Sequence, residues 1–260
     1  MFGKKTLIQK LFDVCNIVFM IFFSLTIIYP YFQQILISIS TKADLARMQY
    51  SFLPNFITLE AYYIIFNNRL LGIAYLNTIF RVVVGTITSL SFTAIVAYPL
   101  SRKYLPDRTF WTGIIVFTMF FSGGLIPNYL LIKNLGLRDN LLVYIIPSLL
   151  GAFNIVMIRN FYMALPEELN ESARIDGANE LQILFRIIVP VSKPVLATVA
   201  LWTVVGHWNS WFDNMLYVND PNKQVLQFML RKLLTEMTPK AFFSEISQLM
   251  YENQKQWTPE

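Results

Sequence analysis

One cysteine, Cys15, and one histidine, His207, are all that the chain has of the residue types that build disulfides and Cys/His metal sites. A disulfide within the chain is therefore excluded, and so is a metal centre of Cys and His ligands. A lone histidine also leaves no nucleophile, base and oxyanion set to assemble around it. No G-x-x-x-x-G-K-[ST] loop occurs, so the chain does not hydrolyse ATP itself. Charge is scarce: 14% of the 260 residues are Asp, Glu, Lys or Arg, against about a quarter in a soluble domain. The net charge of +5 does not point to nucleic acid, because the basic residues are scattered at the ends of apolar runs.

In place of these the chain has apolar length. Hydrophobic residues make up 55% of it and the mean hydropathy is +0.48, which is a membrane composition before any motif is read. About 20 apolar residues cross the hydrocarbon core. On that measure the sequence predicts an all-α, polytopic transmembrane helical bundle with spans at about 14–37, 75–100, 110–131, 141–163 and 194–218. The first run is too long for a signal-peptide core and is read as a retained span. Residues 38–72 form a polar, aromatic connection with turns at Leu53-Pro54-Asn55 and Asn67-Asn68 and a short interfacial helix near Glu60 to Phe66.

Several polar residues sit in or beside these runs. Arg81, near the start of the second, either faces a polar pathway or snorkels to the headgroups, and snorkelling is the reading preferred. Gly123-Gly124 and Pro127 mark either a break in the third span or a small-residue packing contact, and packing is preferred. Asp139 or Asn140 can cap the start of the fourth span. After the turn at Asn219-Asp-Pro-Asn222, Val225 to Met237 has the spacing of an amphipathic helix.

The stretch Pro166 to Pro190, PEELNESARIDGANELQILFRIIVP, is the long polar interruption of the second half. Pro166 suits the first position of a helix. Glu167, Glu168 and Glu171 complement the positive end of its dipole. Gly177 stands where a helix ends in the left-handed conformation. A second helix, about Ala178 to Val189, ends at Pro190. The local pattern therefore predicts a short helix, a glycine turn and an amphipathic helix leading into a span.

Glu171-Ser172-Ala173, three residues, Gly177, nine residues, then Ile187-Ile188-Val189-Pro190 resembles the EAA loop of ABC-importer permeases. Ser172 and Val189 depart from that pattern, with alanine and leucine in its usual form. Asp176-Gly177-Ala178 is similar to the carbohydrate-uptake, MalG-like branch. So are Phe121-Ser-Gly-Gly-Leu-Ile-Pro-Asn-Tyr-Leu130, Arg159-Asn-Phe161 and His207-Trp-Asn-Ser-Trp-Phe212, which resemble its polysaccharide-type subgroup.

The resemblance covers essentially the whole chain and implies one permease domain over 1–260, with a cytoplasmic coupling loop at 164–193 and an extracytoplasmic tail at 219–260. It implies that Glu171, Ser172, Ala173, Asp176, Gly177 and Ala178 form an ATPase-coupling site. It implies a second permease subunit, two ATPase subunits that hold ATP and Mg, an extracytoplasmic solute-binding protein, an oligosaccharide substrate and a bacterial cytoplasmic membrane. No cofactor is expected in this chain. Basic residues in short loops vote only mildly for that orientation. Members of the family usually have a sixth span after the fifth. None is visible here, and the expectation is a truncated chain, a trimmed sequence or an unusual gene product.

The fifth run contains Gly206-His-Trp-Asn-Ser-Trp-Phe-Asp-Asn214, which is too polar for lipid. An aspartate at such depth costs about 3 kcal/mol on insertion scales. Two readings stand. Trp208, Asn209 and Trp211, with Asp213 or Asn214, line a translocation path, aromatics stacking on sugar rings. Or they are interfacial aromatics and interhelical hydrogen bonds. A non-transporting membrane scaffold that anchors a soluble partner is the alternative function. The polar fifth span argues against it.

Overall fold

The computed structural model describes residues 6–41 and 56–236. Its contacts divide into two units between Asn68 and Arg69. The expected turn at Leu53-Pro54-Asn55 and the tail beyond Glu236, including Met237, lie outside the described residues.

In the first unit, α1 (Leu7–Ser38) opens on a capping box. The Thr6 hydroxyl accepts from Gln9 N at 3.4 Å, and the Gln9 side chain accepts from Thr6 N at 3.0 Å. That box starts the helix earlier than the apolar run alone suggests. None of its 32 residues is buried, and it is long and apolar enough to cross a membrane. α2 (Glu60–Asn67) is the expected short helix. It is tied back to the end of α1 by Thr58 N donating to Ile39 O at 2.8 Å and by a 2.9 Å bond between the Ser38 and Tyr62 hydroxyls.

The second unit is built on α3 (Arg69–Ser101), which packs most extensively against α9 (Lys193–Asn209) and α6 (Ala152–Met163). Its buried residues are mostly small: Ala74, Thr78, Gly85, Thr86, Ser89, Thr93, Ala94 and Ala97. Small side chains let helix backbones approach closely, which supplies the packing where the hydrophobic effect does not. At Gly85 the approach is closest: a Cβ there would stand 2.7 Å from His207 Nε2. Gly85→Ala must therefore push the imidazole aside and part α3 from α9, at a cost of about 1–3 kcal/mol. A lowered unfolding midpoint, restored when His207→Ala is added, is the expected measurement.

Three of the expected spans are not continuous helices. The third is α4 (Arg108–Phe120) and α5 (Leu125–Asn134), bent by 111°. Gly123-Gly124 is a break and not a packing contact: Phe121 is extended, Gly124 has φ +89°, and a Cβ on Gly123 would meet nothing closer than Pro127 at 3.9 Å. The fourth opens as two 3₁₀ turns, Leu141–Tyr144 and Ile146–Ser148, bent by 48° from α6. Asn140 caps the first turn, accepting from Leu142 N at 3.0 Å. The fifth ends α9 at Asn209 and resumes as α10 (Phe212–Tyr217).

The amphipathic helix expected over 178–189 also differs. α8 (Glu180–Ile183) passes into a π-helical turn at Leu184–Ile188 and a short piece at Val189–Val191, and this segment meets α9 at 82°. Pro190 lacks an N–H and its ring crowds the carbonyl of Arg186, inside the widened turn. α1 and α3 are each long enough to cross a membrane, and the crossings number up to five if each bent pair is one. Among the described residues the architecture is all-α.

Two apolar clusters mark the ends of the second unit. One gathers Tyr98, Leu100, Ile158, Tyr162, Ala173, Ile183, Leu184 and Ile188. The other gathers Ile132, Val143, Tyr144, Tyr217, Val218 and Val225. The first touches α3 near Tyr98. At the other end, α11 (Leu226–Glu236) and the turn before it meet α3 near Thr78: Leu226 N donates to Thr78 Oγ1 at 2.9 Å, and Asn77 Nδ2 donates to Gln224 O at 3.0 Å. At 1.5 Å per residue those points are roughly 30 Å apart, the thickness of a hydrocarbon core.

Candidate functional site

The helix expected after Pro166 is α7 (Glu168–Ile175), with Glu168 and Glu171 in its first turn. It ends in a full Schellman motif. Ala178 N donates to Ala173 O at 3.0 Å and Gly177 N donates to Arg174 O at 3.0 Å. Gly177 carries φ +78°, and a Cβ there would meet nothing within 4 Å. The glycine is required by backbone angle, not by crowding. Asn179 then caps α8, accepting from Gln182 N while its own N–H donates to Gln182, both at 2.9 Å.

The six candidate coupling residues do not share one face. Glu171, Ser172, Asp176 and Gly177 are exposed. Ala173 is buried and belongs to the apolar cluster, and Ala178 is half-buried against it. Ala173 therefore seats α7 on the chain's own core, and a larger residue would lift the helix. Ile175, 86% exposed, completes the outward face with Glu171 and Asp176.

Sequence reasoning missed the residue that fastens this element. Glu180 accepts from the Tyr98 hydroxyl at 2.7 Å, the Tyr104 hydroxyl at 3.1 Å and Arg174 Nε at 3.0 Å. The Arg174 guanidinium also lies 4.5 Å over the Tyr104 ring. No local pattern announces Tyr98 and Tyr104, which stand 82 and 76 positions before Glu180. Lys103 adds a 3.0 Å ion pair to Glu167. Burial would raise the Glu180 carboxyl, but the bonds from Tyr98, Tyr104 and Arg174 outweigh it and hold the group below its ordinary value. Burial, then the bond to Glu180, raises the Tyr104 phenol.

A lowered carboxyl stabilises the fastening above the ordinary glutamate range and loses it as pH falls through the lowered value. Glu180→Gln removes the ion pair, and amide exchange over 168–178 is expected to rise about tenfold at neutral pH. The same substitution should flatten the acid dependence of that exchange.

The polar residues of the fifth run separate. Asp213 receives both terminal nitrogens of Arg81, one at 3.1 Å. Arg81 is buried, also donates to Ser210 O at 3.3 Å and to His207 Nδ1 at 3.4 Å, and lies 4.9 Å from the Tyr144 ring. The snorkelling reading of Arg81 is thus overturned: an interhelical carboxylate holds it inside. Asn214 is fully buried, its Oδ1 accepting from Tyr144 Oη at 2.9 Å and Val225 N at 2.7 Å. Trp211 lies under the Arg231 guanidinium at 3.7 Å. Trp208 meets Tyr75 edge-on at 6.0 Å. Asn209 is exposed, its amide bonded to Val205 O at 3.0 Å.

At this far end, Asp139 accepts from Asn219 N and from Asp220 N at 3.1 Å, and its backbone carbonyl accepts Lys223 Nζ at 2.7 Å. Those backbone bonds hold the Asp139 carboxyl below its ordinary value.

A membrane bundle of broken helices, with one fastened helix–turn–helix projecting at the end opposite residues 219–226, has the form of a transporter's membrane subunit. Comparison with known proteins gives the family. Residues 109–212 match the model described as binding-protein-dependent transport system inner membrane component. Protein LplC of Bacillus subtilis (strain 168) is 41% identical over 235 residues, covering 88% of this chain and 78% of that one. The polygalacturonan/rhamnogalacturonan transport system permease protein YtcP of the same organism is 36% identical over 226 residues, covering 87% and 79%. A chain in a crystal structure of a bacterial ABC transporter involved in the import of the acidic polysaccharide alginate superposes with a TM-score of 0.88 at 34% identity, covering 94% of this chain and 87% of that one. The chain belongs to this family and is a permease subunit of an ABC importer, a transport component and not itself an enzyme. That assignment displaces the scaffold alternative.

Proposed function

We propose that this subunit pairs with a second, different permease chain to carry oligosaccharides or polysaccharide fragments across the bacterial cytoplasmic membrane. Two ATPase subunits, which hold ATP and Mg, grip α7 from the cytoplasm. An extracytoplasmic binding protein delivers the sugar at the opposite end. The observation that carries the reading is the outward face of α7: exposed Glu171, Ile175 and Asp176 stand on a helix whose other face is anchored by Ala173 and whose exit is fastened by Glu180. A surface so held can take a push and pass it to α3 without bending away. Ser172, Gly177 and Ala178 shape that surface.

Of the candidate path residues, Asn209 and Trp208 retain accessible surface on α9 and are offered to sugar hydroxyls and ring faces. Asp213, Asn214 and Trp211 contribute by holding α9 and α10 in place.

The named cargoes of YtcP and of the alginate importer are polysaccharides, which supports the substrate class. The test is the complete importer in proteoliposomes, assayed with oligogalacturonides, alginate oligomers and neutral maltooligosaccharides. Uptake with sugar-stimulated ATP hydrolysis for at least one panel member is the expected result. No stimulation by any saccharide, alongside stimulation by another solute, would overturn the substrate class.

A further inference from the structure

Beside α7, where α3 gives way to the 102–107 loop, lies a pocket of about 160 Å³ lined by Ser101, Arg102, Lys103, Arg108, Tyr162 and Glu167, with Met163 and Leu165. A cavity holds a water once about 10–15 Å³ is open to it, so there is room for several water-sized groups. Three cations line it against one carboxylate, and that carboxylate is engaged by Lys103 at 3.0 Å.

The pocket's donors stand idle. Arg102 is only 6% exposed, yet its Nε and Nη2 have no hydrogen-bond partner among the described residues. Its guanidinium lies 4.4 Å over the Tyr98 ring, which fixes the plane of the fork. Arg108 Nη1 and the hydroxyl of Tyr162, itself 1% exposed, are likewise buried without partners among the described residues. Other polar groups nearby are spent: Ser101 Oγ donates to Tyr98 O at 2.6 Å, and Arg159 Nε donates to Leu100 O at 2.9 Å. Buried polar groups are almost always satisfied, and a buried cation most of all.

We propose that this pocket binds a phosphate group, carried by an anionic phospholipid headgroup or as free phosphate. A tetrahedral oxyanion offers oxygens in several directions and can take the Arg102 fork, Arg108 and the Tyr162 hydroxyl together. Guanidinium forks match phosphate oxygens in pairs. The end of α3 that carries the coupling element is where a basic pocket between membrane helices meets the headgroups of the cytoplasmic leaflet. Occupancy would couple the lipid or ion to α7, since Glu167 lines the pocket and is the N-cap of that helix.

The complete importer is purified in phosphate-free detergent buffer and analysed by native mass spectrometry. It is then titrated with inorganic phosphate, or placed in nanodiscs of phosphatidylcholine with or without phosphatidylglycerol, and its unfolding midpoint is read. A retained anionic-lipid adduct with stabilisation by phosphatidylglycerol identifies a headgroup. Saturable stabilisation by phosphate without an adduct identifies the free ion. Either effect should weaken at least about tenfold in Arg102→Gln/Arg108→Gln, and should persist in Lys133→Gln at the far end. Arg102→Lys, which keeps charge and loses the fork, should fall between. Arg108 is half-buried, so Arg108→Gln alone keeps the test readable if the double variant does not fold. No response in the wild type, equal responses in all variants, or a carboxylate of the ATPase cross-linked into the pocket would each overturn the proposal. An importer that still moves sugar in those cases leaves the transport function standing.

Discussion

Asp213→Ala should lower the unfolding midpoint of the protein in detergent by roughly 6–12 °C, which corresponds to about 3 kcal/mol. The loss comes from the cation left behind. The Arg81 side chain is 4% exposed against 24% for Asp213. Removing the carboxylate leaves a guanidinium with one backbone carbonyl, Ser210 O at 3.3 Å, and the His207 ring at 3.4 Å, and no counter-charge on either. The reciprocal change should cost less, because Asp213 keeps its bonds from Ser210 Oγ at 3.2 Å and Asn214 N at 3.0 Å and has more access to water. Arg81→Met with Asp213→Leu should recover most of the loss, since an apolar pair of similar volume leaves nothing unpaired. Midpoints for the two single variants and the double variant complete the cycle. If Arg81→Met and Asp213→Ala lose equally and the double variant adds the two losses, the pair is not a coupled unit.

Gly177→Val should leave the importer assembled while sugar-stimulated ATP hydrolysis falls more than about tenfold. A left-handed residue with a Cβ costs about 1–2 kcal/mol, and a β-branched one suffers most. Relieving that strain reopens the Schellman turn and turns α7 on its seat. The space around Gly177 is empty, so Gly177→Asn, which tolerates this conformation, should retain most activity, with Gly177→Ala between. The order of the three substitutions separates causes. If asparagine and alanine fail as badly as valine, the glycine is needed for contact with the ATPase, and the turn argument is wrong.

The sequence shows some of this plainly and hides the rest for physical reasons. α7 and its glycine turn are legible because capping, acidic first turns and positive φ are local requirements, written in adjacent residues. The breaks at Gly124 and Ser210 are not: an apolar run looks the same whether its helix is straight or bent by 111°. Gly123-Gly124 and Pro127 hold the signal, but small residues serve packing in other membrane helices. The burial of Arg81 is hidden because its counter-ion lies on another helix, and no short window contains both. Glu180 shows the same difficulty, since Tyr98 and Tyr104 stand 82 and 76 positions before it. The inward position of Ala173 is hidden too, because spacing gives the periodicity of a helix but not which side meets the core.

The separation of 132 positions from Arg81 to Asp213 also bears on how the chain is made. During synthesis α3 emerges and must partition into the bilayer long before α10 exists, so its arginine enters without the carboxylate that later neutralises it. A bare arginine in a membrane helix carries an insertion penalty of at most about 3 kcal/mol, the figure for the helix centre. The apolar remainder of α3 has to outweigh that penalty during biogenesis, which makes its hydrophobic residues a requirement for entry as well as for the finished fold.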